Sequence, residues 1–287
     1  MKIFKQFLGL AIIATIFIVA CSDNTEANIE AKQLKVVDFK EVGEIHNQFL
    51  TNVKNNFNPD ESITNLDEKI DYVTTFNKNF VNNLNIDASE KLELKNYLEE
   101  HKNLVVEENI VQQSFGINNR LLKSNDNEPS IFQLIDELKS NGQLSDNSHK
   151  ILYTLTESLK SNYEGNLSDE LLKSDVEKLI SDFDTIGFND EEGELVGTIL
   201  AISISSIEWW EENPDALNGL ASRSFSKQKT ALIVPWLASD IAGAVVGGAI
   251  GGVRSGSWRG AGEGALIGAV VASTGVVGRL GKWISKL

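Results

Sequence analysis

The sequence predicts an all-α protein, a helical bundle followed by a glycine-rich helical hairpin. Three observations predict it. Apolar residues recur three and four positions apart from about Val36 to Thr230, the period of one helix face. Breakers are scarce in that stretch, where Pro59, Pro129 and Pro214 are the only prolines. Beyond it more than half of the chain's 22 glycines crowd into residues 231 to 287, many of them four apart.

The first 20 residues read as a signal peptide. Lys2 and Lys5 make a short basic start, and Phe7 to Ala20 is an uncharged run too short to cross a hydrocarbon core of about 30 Å comfortably. The run ends in Ile18-Val19-Ala20-Cys21, an aliphatic residue, a tolerant position, a small residue and a thiol. This resembles the lipobox of bacterial lipoproteins. The resemblance implies cleavage before Cys21 and acylation of its sulfur, so that membrane lipid becomes a partner through Cys21. Each buried CH₂ of an acyl chain contributes roughly 0.8 kcal/mol, and stable attachment takes more than one chain. Cys21 is the only cysteine, so no disulfide closes within the chain and the exported fold must stand on packing.

In residues 21–35 Cys21 is followed by Ser22-Asp23-Asn24-Thr25-Glu26, polar and acidic with little to bury, and the stretch predicts a flexible tether. An acidic tract directly after an acylated cysteine is similar to the surface-export signal of some Gram-negative lipoproteins. That resemblance implies the outer membrane, with display on the cell surface as one alternative.

Residues 36–230 predict an acidic all-α domain. The stretch from Val36 to Val81, with Phe39, Phe49, Phe57, Phe76 and Phe80, reads as two helices flanking Asn58-Pro59-Asp60. Asp87 or Ser89 caps a helix bearing Leu92, Leu94, Tyr97, Leu98 and Leu104 on helical spacing. Ser130 to Ser140 follows Pro129 with Ile131, Leu134, Ile135 and Leu138 on one stripe. Ser145 to Asn162 carries Ile151, Leu152, Leu155 and Leu159. Ser168-Asp169-Glu170 opens a helix with Leu171, Leu172, Val176, Leu179, Ile180 and Phe183 facing inward, ending near Gly187. Glu191 to Glu212 holds Leu195, Val196, Ile199, Leu200 and Ile202 and closes on Trp209-Trp210. Connections of a few residues between such helices favour antiparallel neighbours.

Residues 231–287 change character. Gly243, Gly247 and Gly251 are four apart, as are Gly248, Gly252, Gly256, Gly260, Gly264 and Gly268. On a helix this spacing makes a strip without side chains, along which a second helix can approach almost to backbone contact. In water each interior glycine costs a helix about 0.8 to 1.0 kcal/mol against alanine, so the segment needs a surface to pack on. Two uncharged arms, Ile241 to Val253 and Gly264 to Gly278, flank a polar link carrying Trp258, which predicts a helical hairpin. Trp236, Trp258 and Trp283 stand near the arm ends, as interfacial aromatics do, and Lys282 and Lys286 suit anionic headgroups. The stretch resembles glycine-zipper segments of membrane-associated bacterial proteins and the hairpins of some bacteriocins. Three alternatives follow: a hairpin packed into the protein itself, bilayer insertion or self-association, or a disordered tail.

No catalytic, cofactor or metal constellation is legible. His46, His101 and His149 lie far apart and read as surface or helix-capping residues, not zinc ligands. No nucleophile elbow, P-loop or strand-led dinucleotide fingerprint occurs. The pairs Glu99-Glu100, Glu107-Glu108 and Glu191-Glu192 point to different helix faces and read as solvated, while Trp209-Trp210 reads as a helix end packed into the core in preference to a sugar- or peptide-stacking platform.

Charge narrows the partners. The chain carries 26 basic and 41 acidic residues, a formal −15. Residues 231–287 hold 5 basic against 2 acidic residues, whereas residues 21–230 hold 19 against 39, a net of −20. Such a body repels phosphate backbones, which argues against nucleic acid. Two expectations remain. One is a non-enzymatic, lipid-anchored binding or scaffold module of the cell envelope, with an unnamed protein partner. The other is a membrane-active, toxin-like protein whose C-terminal hairpin enters a bilayer.

Overall fold

The computed structural model describes residues 33–100 except 59 and 61, residues 131–188, residues 191–213, and residues 243, 244 and 269. Among them the fold is all-α, without strands. A 3₁₀ turn over Val36–Phe39 leads into helices α1 (Lys40–Asn56), α2 (Leu66–Asn83), α3 (Ala88–Glu100), α4 (Ile131–Ser140), α5 (Asp146–Tyr163), α6 (Asp169–Ile186) and α7 (Glu191–Glu212).

Local sequence sets most helix ends. The Asn65 side chain accepts from the backbone N–H groups of Asp67 at 2.8 Å and Glu68 at 3.3 Å, which caps α2. Asp87 Oδ1 accepts from Ser89 N at 2.9 Å ahead of α3, Ser145 Oγ from Ser148 N ahead of α5, and Ser168 Oγ from Leu171 N ahead of α6. Each cap satisfies a donor that the first helical turn leaves orphaned, worth about 1 kcal/mol against alanine. α6 stops where Gly187 turns left-handed, φ 77°, a conformation a side chain resists.

α7 is the centre. Leu195, Val196, Ile199, Leu200, Ile202, Ile207 and Trp210 are buried on every side of it, as expected of a helix surrounded by others. α1 packs along it most extensively, α5 and α6 flank it, and the 3₁₀ turn wedges against α7, α1 and α6. α4 lies on α5, and α3 on α2. Edge-to-face contacts of Phe49 with Phe80 (5.3 Å between centroids) and of Phe57 with Tyr72 (5.9 Å) and Phe76 (5.2 Å) tie α2 to α1 and its C-terminal end.

Small residues let the centre close. A Cβ on Gly43 of α1 would come within 2.8 Å of the Ala201 carbonyl oxygen of α7 and press on the Ser205 side chain, so the two backbones touch there. On α7 itself, Gly197 makes room for the Phe39 ring and Gly193 for Phe188. The chain's entry into the bundle is pinned by Leu34 N donating to Phe188 O at 2.6 Å and Val36 N donating to Asp184 Oδ1 at 2.9 Å.

Two expectations about burial need correction. Leu171 does not face inward: it is 56% exposed, because the stripe of Leu172, Val176, Leu179 and Phe183 already fills the inner face and Leu171 sits about 100° round from Leu172. His46 is neither a surface nor a capping residue. It is fully buried in the middle of α1, where its Nδ1 lies 3.4 Å from Asn47 Oδ1.

Candidate functional site

α5 and α6 form an antiparallel pair joined by the five residues Glu164–Ser168. Their inner faces, with Leu152, Leu155, Leu159, Leu172, Val176 and Phe183, go to the core. The turn is held shut by Asn162, whose Nδ2 donates to Leu167 O at 2.9 Å and to Asp169 Oδ1 at 3.0 Å, and the register is set by Ser158 Oγ donating to Asp175 Oδ2 at 2.8 Å.

On the outer side the two helices leave a groove of about 390 Å³, with Ile151 and Leu179 in its floor, Ile186 at one end, and Asn147, Lys150, Thr154, Asp175, Lys178, Asp182 and Thr185 around it. This is within the range of small-ligand sites, roughly 300 to 1,000 Å³. The side chains of Asn147, Lys150, Thr154, Lys178 and Asp182 make no hydrogen bond or ion pair with other described residues. Some charges elsewhere are paired, Lys78 with Glu99, Lys139 with Asp146 at 2.7 Å, and Lys173 with Glu211 at 2.7 Å, whereas others, such as Glu157 and Glu212, stand in solvent. What sets the groove apart is the placing of two lysines and two aspartates around one concavity between two helices.

Nearby groups are perturbed by the fold. Asp169 is half-buried, and burial raises its carboxyl above the usual aspartate range, against the hydrogen bond from Asn162, with Glu170 and Glu211 adding to the rise. The hydrogen bond to Glu211 raises the Lys173 ammonium. Asp146 is lowered by its hydrogen bond and charge interaction with Lys139.

The residues singled out by sequence fall as follows. Cys21, Gly247, Gly248, Gly251, Gly252, Gly256, Gly260, Gly264 and Gly268 lie outside the described residues, as does His101; Gly243 is helical and buried, as are Ala244 and Ala269. His149 lies at the α4–α5 contact, its Nε2 2.8 Å from Asp136 Oδ1 and its ring stacked on Tyr153. Trp209 and Trp210 are buried, with Trp209 Nε1 donating to Thr51 Oγ1 at 2.9 Å, so the pair is a helix end packed into the core. Glu192 accepts from Ser145 N at 2.6 Å and thereby fastens the start of α7 to that of α5. Among the described residues no group of three His, Cys, Asp or Glu could hold a metal ion, and no helix is long and apolar enough to cross a membrane.

Sequence reasoning missed the groove. Lys150 and Thr154 stand one turn apart beside the apolar stripe of α5, and Asp175, Lys178 and Asp182 stand likewise on α6, a pattern indistinguishable from an ordinary solvated face until the register of the pair is known. Compared with known protein families, curated proteins and solved structures, the chain finds no match in any of the three.

Proposed function

We propose that the protein is an exported, lipid-anchored lipoprotein of the cell envelope, held by acylated Cys21 in the outer membrane of a Gram-negative bacterium, and that its helical body acts as a non-enzymatic binding module. The groove between α5 and α6 carries this reading: it gathers the polar side chains of Asn147, Lys150, Thr154, Lys178 and Asp182 around one concavity on a pair of helices. The glycine strips from Gly243 to Gly268 serve to pack the C-terminal segment on the protein or on a second copy.

Two measurements test the two halves. Growth with a fatty-acid analogue labels the wild-type chain and leaves Cys21→Ser unlabelled; persisting label removes the anchor. Amine acetylation followed by mass spectrometry compares Lys150 and Lys178 with the exposed Lys40 in intact cells and in purified protein. Protection of the groove lysines in cells alone supports a bound partner, and equal reactivity in both removes the binding role.

The membrane-active reading draws on the glycine spacing and the +3 charge of residues 231–287. Dye release from liposomes by the full chain, absent from a chain ending at Thr230, would establish it in place of the binding module.

A further inference from the structure

One face of α7 is buried although no described helix lies along it. At about 100° per residue, Ala201, Ser205 and Trp209 mark the side of α7 toward α1, where Asn47 Nδ2 donates to Ser205 O at 2.8 Å and Trp209 Nε1 to Thr51 Oγ1. Glu192, which accepts from Ser145 N, marks the side toward α5, and Glu211, paired with Lys173, the side toward α6. Between the α1 and α5 sides runs an arc of Leu195, Ile199, Ile202 and Ser206, each no more than 1% exposed. Among the described helices, α2, α3 and α4 do not pack extensively on α7, so the arc needs a further element to keep water from it.

Resting on the packing role given above to the glycine strips, we infer that this face of α7 is the docking surface for residues 231–287 of the same chain. Gly243 and Ala244 in the first arm and Ala269 in the second are helical and buried, the two alanines at 0% exposure. Both alanines belong to the same hydrophobic core as Leu195, Ile199 and Ile202, which a hairpin lying in a bilayer or on a second copy would not bring about. Gln33–Leu287 forms one compact unit, with no separate unit for the C-terminal segment.

Size and charge agree with this occupant. An arm presenting Gly243 and Ala244 carries little side chain, so its backbone can approach the small Ser206 of α7 much as α1 does at Gly43. The net +3 of residues 231–287 is drawn to a body of net −20. Docking also answers the need of a glycine-rich helix for a surface to pack on. Entry of the hairpin into a bilayer would uncover the arc of α7, so the docked state opposes it.

The test uses the full acylated chain in detergent micelles, read by hydrogen exchange with mass spectrometry and by thermal unfolding. Ala244→Leu and Ala269→Leu each drive a larger side chain into the closed contact. Each should speed exchange of the Leu195–Ser206 amides about tenfold and lower the unfolding temperature, with neither effect depending on protein concentration. Gly243→Ala adds a single methyl and serves where a leucine variant does not fold. Alanine strengthens a free helix, so a lower unfolding temperature for Gly243→Ala supports the closed contact and a higher one overturns it. Unchanged exchange of α7 in all three variants overturns docking on this face. If α7 is unchanged while the variants break up an oligomer in sedimentation, the strips pack on a second copy and their packing role stands; if neither changes, the docking and the packing role both fall.

Discussion

Asp169 occupies the first turn of α6, where the helix dipole favours a negative charge, yet burial prevails and its carboxyl is raised. The consequence for stability has a definite sign. A raised folded pKa means that the native state holds its proton over a pH range where the unfolded chain has lost its own, so stability declines as pH rises through that window. Above it the carboxylate is charged in both states and the burial cost is borne in full by the folded one. Asp169→Asn keeps an oxygen that accepts from Asn162 and removes the charge. The variant should therefore compare more favourably with wild type at pH 7 than at pH 3, as read by urea unfolding across pH; a difference that is flat, or larger in acid, sinks this account. At this scale the sequence was legible where the chemistry is local. Ser145 and Ser168 cap helices because a hydroxyl before a first turn has nearby N–H groups to serve, whatever the rest of the fold does. The burial of His46 and the linking of Asn162 to Asp169 depend on what packs over them, and nothing within four residues announces either.

Among the elements, α7 was the most legible and its contact with α1 the least. A 22-residue run from Glu191 to Glu212, apolar round most of its circumference, identifies a central helix by itself. Gly43, by contrast, is a single glycine with no repeat around it, and its role appears only when Ala201 and Ser205 come against it. Replacing it sets two effects against each other. Alanine is the better helix former by about 0.8 to 1.0 kcal/mol, while forcing a methyl into a closed helix contact costs typically 1 to 3 kcal/mol. The backbone carbonyl of Ala201 cannot swing aside as a long side chain can, so the steric cost wins: Gly43→Ala should lose about 1 kcal/mol and Gly43→Val more, by thermal or urea unfolding. A more stable Gly43→Ala would mean that α1 rides clear of α7. The exposure of Leu171 teaches the same lesson from the other side, since a run of two leucines in a first turn cannot say which of them the core has room for.

Across the whole molecule, charge separates two ways of reaching a membrane. Net charge is −20 over residues 21–230 and +3 over residues 231–287, so the body is repelled by anionic headgroups while the tail is drawn to them. If acyl chains on Cys21 hold the protein, attachment is hydrophobic, and salt acts only by screening the body's repulsion. Acylated protein should then stay on anionic vesicles as ionic strength rises from about 0.01 M, where the Debye length is about 30 Å, to 0.15 M, where it is about 8 Å, with its hold unchanged or tightened. Cys21→Ser should remain in the supernatant throughout a flotation assay. A tail-driven hold predicts the reverse, Cys21→Ser floating at low salt and released as screening grows. The two outcomes exclude each other because one depends on carbon count and the other on field strength, and that contrast makes a flotation series in salt, with and without the thiol, decisive between a tethered binding module and a protein that enters the bilayer by its C-terminal glycines.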